Sequence, residues 1–222
     1  MNLQLMKHCQ RWLCALSLLL MGLTATASTQ AAGAAQAPDQ LIETVARQVL
    51  TDLEANRELY RKDSTKLRQM VDKYLLPNFD TEYAARLVLA KNWRTATEQQ
   101  RKDFVEAFYQ SLLQNYGNSL LDFTADRLKI LPYTGNPSDT SATVRTEIRR
   151  DNGSKVPVNY TLRKTDAGWK AWDVTIEGVS YVKSFRTDFG TEIEQKGLDA
   201  VIKRLQTQQQ AAPVGTNNKK SG

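Results

Sequence analysis

From Asp126 to Glu177 the chain places apolar side chains at every second position. Leu128 and Ile130 alternate with Arg127 and Lys129. Ala142, Val144 and Ile148 alternate with Thr143, Arg145, Glu147 and Arg149. Val156, Val158, Tyr160 and Leu162 alternate with Pro157, Asn159, Thr161 and Arg163. Trp172, Val174 and Ile176 alternate with Asp173, Thr175 and Glu177. A period of two is the period of a strand, and it gives each segment one apolar and one polar face. Four such segments predict an antiparallel sheet that one side must cover. Asn152-Gly153 marks the hairpin between the second and third strands, and Asp166-Ala167-Gly168 the next.

The cover comes from helical patterns on both sides. Leu41, Ile42, Val45, Val49, Leu50 and Leu53 recur at helical spacing after Asp39, a candidate N-cap. A second helix runs from about Ser64 and stops at Pro77. A third starts near Thr81. The fourth opens on Thr97-Glu98-Gln99-Gln100, a capping box, and carries the stripe Phe104, Val105, Phe108, Leu112, Tyr116. After Gly178 a helical pattern returns through Phe185, Phe189, Ile193, Leu198, Val201, Ile202 and Leu205. The fold expected is α+β: N-terminal and C-terminal helices packed on one face of a four-stranded antiparallel sheet, with helices and curved sheet enclosing an apolar cavity.

The ends read differently. Lys7 and Arg11, the apolar run Trp12 to Leu23 and the exit Ala25-Thr26-Ala27 have the form of a secretory signal over residues 1–27. The apolar run falls short of the roughly 20 residues a membrane span needs. Residues 28–38 read as a linker, 39–208 as one domain and 209–222 as a disordered tail. The only histidine, His8, and both cysteines, Cys9 and Cys14, fall in the leader. An exported product would then lack thiol and imidazole altogether. The formal charge of +6 also shrinks: 26 basic and 24 acidic residues lie between Asp39 and Gln210. A net of +2 is no nucleic-acid footprint.

Few catalytic constellations survive. Ser-His-Asp and Cys-His arrangements need residues the mature chain lacks, and a metal or cofactor site is not expected. Ser180-Tyr181-Val182-Lys183 has the S-x-x-K spacing. Asp173 and Glu177 share a strand face and could form a carboxylate pair, although that face is the polar one. An exported hydrolase built on Ser180/Lys183 or Asp173/Glu177 is therefore the alternative reading. The main reading is a binding protein.

The order of several short motifs narrows it further. Leu75-Leu76-Pro77 precedes Phe79-Asp80, and Leu87-Val88-Leu89 leads to Trp93-Arg94. Glu98-Gln99-Gln100-Arg101 precedes Phe104, Phe108 and Tyr116-Gly117. Trp169-Lys170-Ala171-Trp172-Asp173-Val174 is followed by Ile176-Glu177-Gly178-Val179-Ser180. From about Leu41 to Leu205 this order resembles the MlaC (toluene-tolerance auxiliary protein) family of periplasmic phospholipid carriers. Ala90 departs from it, standing where glycine is common. The resemblance implies a periplasmic carrier of glycerophospholipid, its only ligand being that cargo. Its implied partners are an outer-membrane lipoprotein–porin complex and an inner-membrane ABC transporter with an MCE-domain subunit. It implies acyl chains in an apolar cavity, with Tyr116 at a cavity position. A monomer is expected. The candidate lining is the stripe Phe104, Phe108, Leu112 and Tyr116 together with inward sheet positions Val144, Ile148, Val158, Tyr160, Trp172, Val174 and Ile176.

Overall fold

The computed structural model describes residues 36–136, 138–150 and 152–211. The expected leader, most of the expected linker and residues 212–222 lie outside them. Helix α1 (Pro38–Lys62) begins one residue before the expected domain start, with Pro38 at its first position. Proline fits there because its missing N–H is one the helix start leaves unpaired anyway. Asp39, expected as N-cap, lies instead in the first turn, and its carboxylate accepts from the Tyr133 amide at 3.0 Å. That bond ties the start of α1 to the loop after the first strand.

One residue, Asp63, separates α1 from α2 (Ser64–Tyr74) and caps α2 by accepting from Thr65 and Lys66 amides at 2.9 and 3.3 Å. A 3-10 turn over Leu76–Asn78 follows, with Pro77 inside it. Asp80 caps α3 (Thr81–Leu89) through the Tyr83 amide at 3.0 Å. A short α4 (Lys91–Thr95), without a counterpart in the sequence reading, joins it to α5 (Glu98–Tyr116). The junction is Ala90, at φ +49°. The expected capping box of α5 forms: Thr97 Oγ1 accepts from the Gln100 amide at 3.1 Å, and Gln100 Oε1 from the Thr97 amide at 2.9 Å.

The sheet has five strands where four were expected. β1 (Leu128–Ile130), β2 (Ser141–Arg149), β3 (Lys155–Thr165), β4 (Gly168–Ile176) and β5 (Val179–Ser180) pair in sequence order, all antiparallel. β5 has only two residues, too few to show any period. It forms because Glu177 and Gly178 both take positive φ, +50° and +84°, as a tight primed hairpin turn requires. The β3–β4 register shifts at Thr161/Leu162, which pair with Asp173 and Ala171 and leave Trp172 as a bulged residue. The single helical pattern after Gly178 is two helices, α6 (Tyr181–Lys196) and α7 (Leu198–Ala211), broken at Gly197 with φ +83°. α7 also runs past residue 208, into the segment expected as tail.

Two apolar cores result. One joins α1 and α2 to Ala142, Val144, Leu162, Trp169 and Ala171 of the sheet. The other joins α3, α5, α6 and α7 around Phe104, Phe108 and Phe189. No helix among the described residues is long and apolar enough to cross a membrane.

Candidate functional site

Between these cores the helices and the sheet do not close. They leave a cavity of about 560 Å³, within the roughly 300–1,000 Å³ typical of ligand pockets. α1 supplies Ile42, Val45, Val49 and Leu53; the chain around Pro77 supplies Leu75, Leu76 and Phe79. α5 supplies Phe108, Leu112, Leu113 and Tyr116, and the 3-10 turn after it Leu120. α6 supplies Tyr181, Val182 and Phe185. The floor is the sheet, with Leu128, Ile148, Val158, Tyr160, Val174 and Ile176.

Nine of the eleven candidate residues line this cavity: Phe108, Leu112, Tyr116, Ile148, Val158, Tyr160, Trp172, Val174 and Ile176. Phe104 and Val144 do not. Phe104 is fully buried, stacked on Phe108 at 5.7 Å and edge-on to Phe189. Val144 is fully buried in the core beneath α1. The α5 stripe explains the first correction. One helical face runs the length of α5, and exposure climbs along it from 0% at Phe104 and 4% at Phe108 to 43% at Tyr116. The same stripe is core at one end, cavity wall in the middle and rim at the other.

Tyr116 meets Tyr181 edge-on at 5.5 Å. Trp172 is held by Tyr83, edge-on at 5.6 Å, and the Arg163 guanidinium lies 4.5 Å over that tyrosine. Tyr160 is only half-buried by exposed area, yet burial alone pushes its phenol above the ordinary value. A side chain facing an enclosed hollow satisfies both observations. Thr146 is an inward sheet position that the apolar pattern skips; it is 1% exposed and donates to the Val158 carbonyl at 2.7 Å.

Asp173 corrects an expectation. It was expected on the polar face of its strand. Instead it is 5% exposed and lines the cavity beside Trp172. Trp172 and Asp173, consecutive at the bulge, both line it. Its carboxylate accepts from Ser180 Oγ at 2.6 Å and from the Val182 amide at 3.0 Å. Ser180 Oγ in turn accepts from the Lys183 amide at 3.1 Å. Asp173 and Ser180 together cap α6. The serine of the S-x-x-K spacing is thus engaged with the helix start. Glu177 is exposed at the β4–β5 turn and pairs with Arg150 at 3.3 Å, away from buried Asp173. Ser180, Asp173 and Glu177 are thus all engaged in local structure.

The α1 and α6 walls were read from sequence as helix faces but not as lining. The available signal is the width of the α1 stripe: Leu41, Ile42, Val45, Val49, Leu50 and Leu53 cover more than one contact needs.

Known proteins with the same features can now be set beside this site. Toluene tolerance protein ttg2D of Pseudomonas putida is 29% identical over 167 residues, covering 75% of this chain and 77% of that one. The intermembrane phospholipid transport system binding protein MlaC of Haemophilus influenzae is 26% identical over 193 residues, covering 86% and 90%. A phospholipid-binding protein from Ralstonia solanacearum, solved in complex with a phospholipid, superposes with a TM-score of 0.72. It covers 78% of this chain and 96% of that one at 22% identity, a likeness of fold. The family described as MlaC protein matches residues 43–207. The chain therefore belongs to the MlaC family.

Proposed function

We propose that this protein is a carrier that holds the acyl chains of a glycerophospholipid in the cavity and moves the lipid between membranes. The observation that carries this is the cavity itself: a hollow walled by aliphatic and aromatic side chains from α1, α5, α6 and four strands. The similar Haemophilus protein is named for phospholipid transport, and the similar Ralstonia structure holds a phospholipid.

The energetics suit a shuttle. A diacyl lipid presents some 30 methylenes, and each buried methylene gains about 0.8 kcal/mol over water. That gross drive keeps the chains inside during an aqueous crossing. Measured from a bilayer, the exchange is hydrocarbon for hydrocarbon and nearly balanced, so loading and unloading are both accessible. No bond is made or broken, and the lipid is cargo.

With the leader expected at residues 1–27, the carrier works in the periplasm as a monomer. It exchanges lipid with an outer-membrane lipoprotein–porin complex and an inner-membrane ABC transporter with an MCE-domain subunit, which maintains outer-membrane lipid asymmetry. Native mass spectrometry of the protein purified from a wild-type host should show phospholipid bound. Uniformly empty protein, with no phospholipid in an organic extract, would rule the carrier reading out.

A further inference from the structure

A second hollow adjoins the first. It is an open shelf of about 410 Å³ lined by Asp122, Phe123, Arg127, Ile148, Arg149, Arg150 and Asn152. Phe123 and Ile148 also line the apolar cavity, so the two spaces share those walls. On one side of them lie aliphatic and aromatic side chains. On the other lie three arginines.

Resting on the carrier reading, we propose that this shelf is the headgroup subsite, and that Arg127, Arg149 and Arg150 receive the lipid's phosphodiester. Fork-shaped guanidinium donors match the oxygens of a phosphate. Arg149 and Arg150 hold loose partners at present. Arg149 meets Asp126 at 3.0 Å and Arg150 meets Glu177 at 3.3 Å. All four side chains are more than half exposed, and exposed ion pairs of this kind contribute little. Each guanidinium has five N–H donors, so a phosphate can be added without breaking either pair.

The wall between the spaces is held in place. Arg57 of α1 donates to the Leu121 carbonyl and to the Phe123 carbonyl, the latter at 2.8 Å. Leu128 of β1 faces Ile148 of β2 in register. Chains laid across Phe123 and Ile148 enter the cavity with the phosphate left over the arginines. Asp122, the one carboxylate among the described residues lining the shelf, suits a headgroup that carries an amine or hydroxyl beyond the phosphate.

The test uses the protein after lipid removal, equilibrated with vesicles holding equal parts of phosphatidylglycerol and diacylglycerol with identical chains. Mass spectrometry reads the ratio of the two lipids bound. Wild type should favour phosphatidylglycerol by about tenfold, a modest preference for exposed charge-assisted contacts. Arg149→Gln/Arg150→Gln should bring the ratio near parity. Arg149→Lys/Arg150→Lys should keep part of the preference, and Arg150→Gln alone, at a hairpin end, should lose part of it. Inorganic phosphate in excess should leave the wild-type ratio unchanged; a ratio driven to parity by it would assign the shelf to free phosphate instead. Parity in the wild type, or a ratio indifferent to every arginine substitution, overturns the subsite and leaves the carrier reading standing. A wild type that takes up neither lipid overturns both.

Discussion

The inner face of the sheet has two ends built from the same kinds of residue. At one end Ala142, Val144, Leu162 and Trp169 are all under 9% exposed and packed against α1 and α2. At the other, Ile148, Tyr160, Val174 and Ile176 are only partly buried, and they face the hollow. Residue type does not separate them. What separates them is what stands opposite: helix side chains at the first end, open space bounded by α5 and α6 at the second. A strand's alternation says that a face must be covered. It does not say whether protein or a ligand covers it.

The largest test of this contrast is a matched pair of truncations. Leu162→Ala, at the filled end, should cost about 2–5 kcal/mol, since it opens a void in close packing. Ile176→Ala, at the open end, should cost about 1 kcal/mol or less in lipid-free protein, because its side chain already borders space. Urea unfolding measures both, and equal losses would break the comparison. Next in size is Val158→Arg. A charge against the acyl chains is costly, so bound lipid should fall about tenfold or more while the circular dichroism stays near native. Unchanged lipid would remove Val158 from the lining.

Tyr160 sharpens the same contrast through pH. Burial raises its phenol above the ordinary 10.0, so the folded state favours the neutral form. Its contribution to stability is fully present below pH 10 and is lost as the pH climbs toward the raised folded value. Tyr60, pushed up to about 12, acts in the same direction. Tyr160→Phe should therefore flatten the alkaline loss without abolishing it. Lipid bound against Tyr160 should steepen the wild-type slope, by removing what water the hollow admits. Unfolding free energies between about pH 9 and 11, with and without lipid, read this; identical slopes would place Tyr160 away from the cargo.

The smallest effect lies off the sheet and serves as its control. Ala90 holds φ +49°, a region that costs an L-residue about 1 kcal/mol or more. Ala90→Gly should raise stability by about 1 kcal/mol, less the greater freedom of glycine in the unfolded chain. Lipid content should not move.

Much of the fold was legible because its signals are local. The Thr97/Gln100 box and the Asn152-Gly153 turn act within four residues and formed as read, while the helix expected to stop at Pro77 ends at Tyr74, with Pro77 in the 3-10 turn that follows. Ala90, singled out for standing where glycine is common, does hold a backbone angle that suits glycine. The misreadings have a shared cause. β5 is too short for a period, Gly197 interrupts a stripe that stays apolar on both sides, and Asp173, opposite Thr161 beside the Trp172 bulge, is buried by its bonds to Ser180 and the Val182 amide at the start of α6. Phe104 and Val144 were grouped with the cavity because they continue its stripes. Nothing local marks where along a stripe the packing ends.

The sequence by itself determined the long elements, their order, the apolar face of most of them and, through its ordered motifs, the family. Those follow from backbone period and turn chemistry, which are short-range. Only the tertiary structure decided that the helices stand off one end of the sheet and close on the other, that Asp173 caps α6, and that Arg127, Arg149 and Arg150 gather beside Phe123 and Ile148. Enclosed space and grouped charge are properties of distance between segments far apart in the chain. A hydrophobic face carries the same residues whether its neighbour is a helix or a lipid, so only the placement of the helices reveals which.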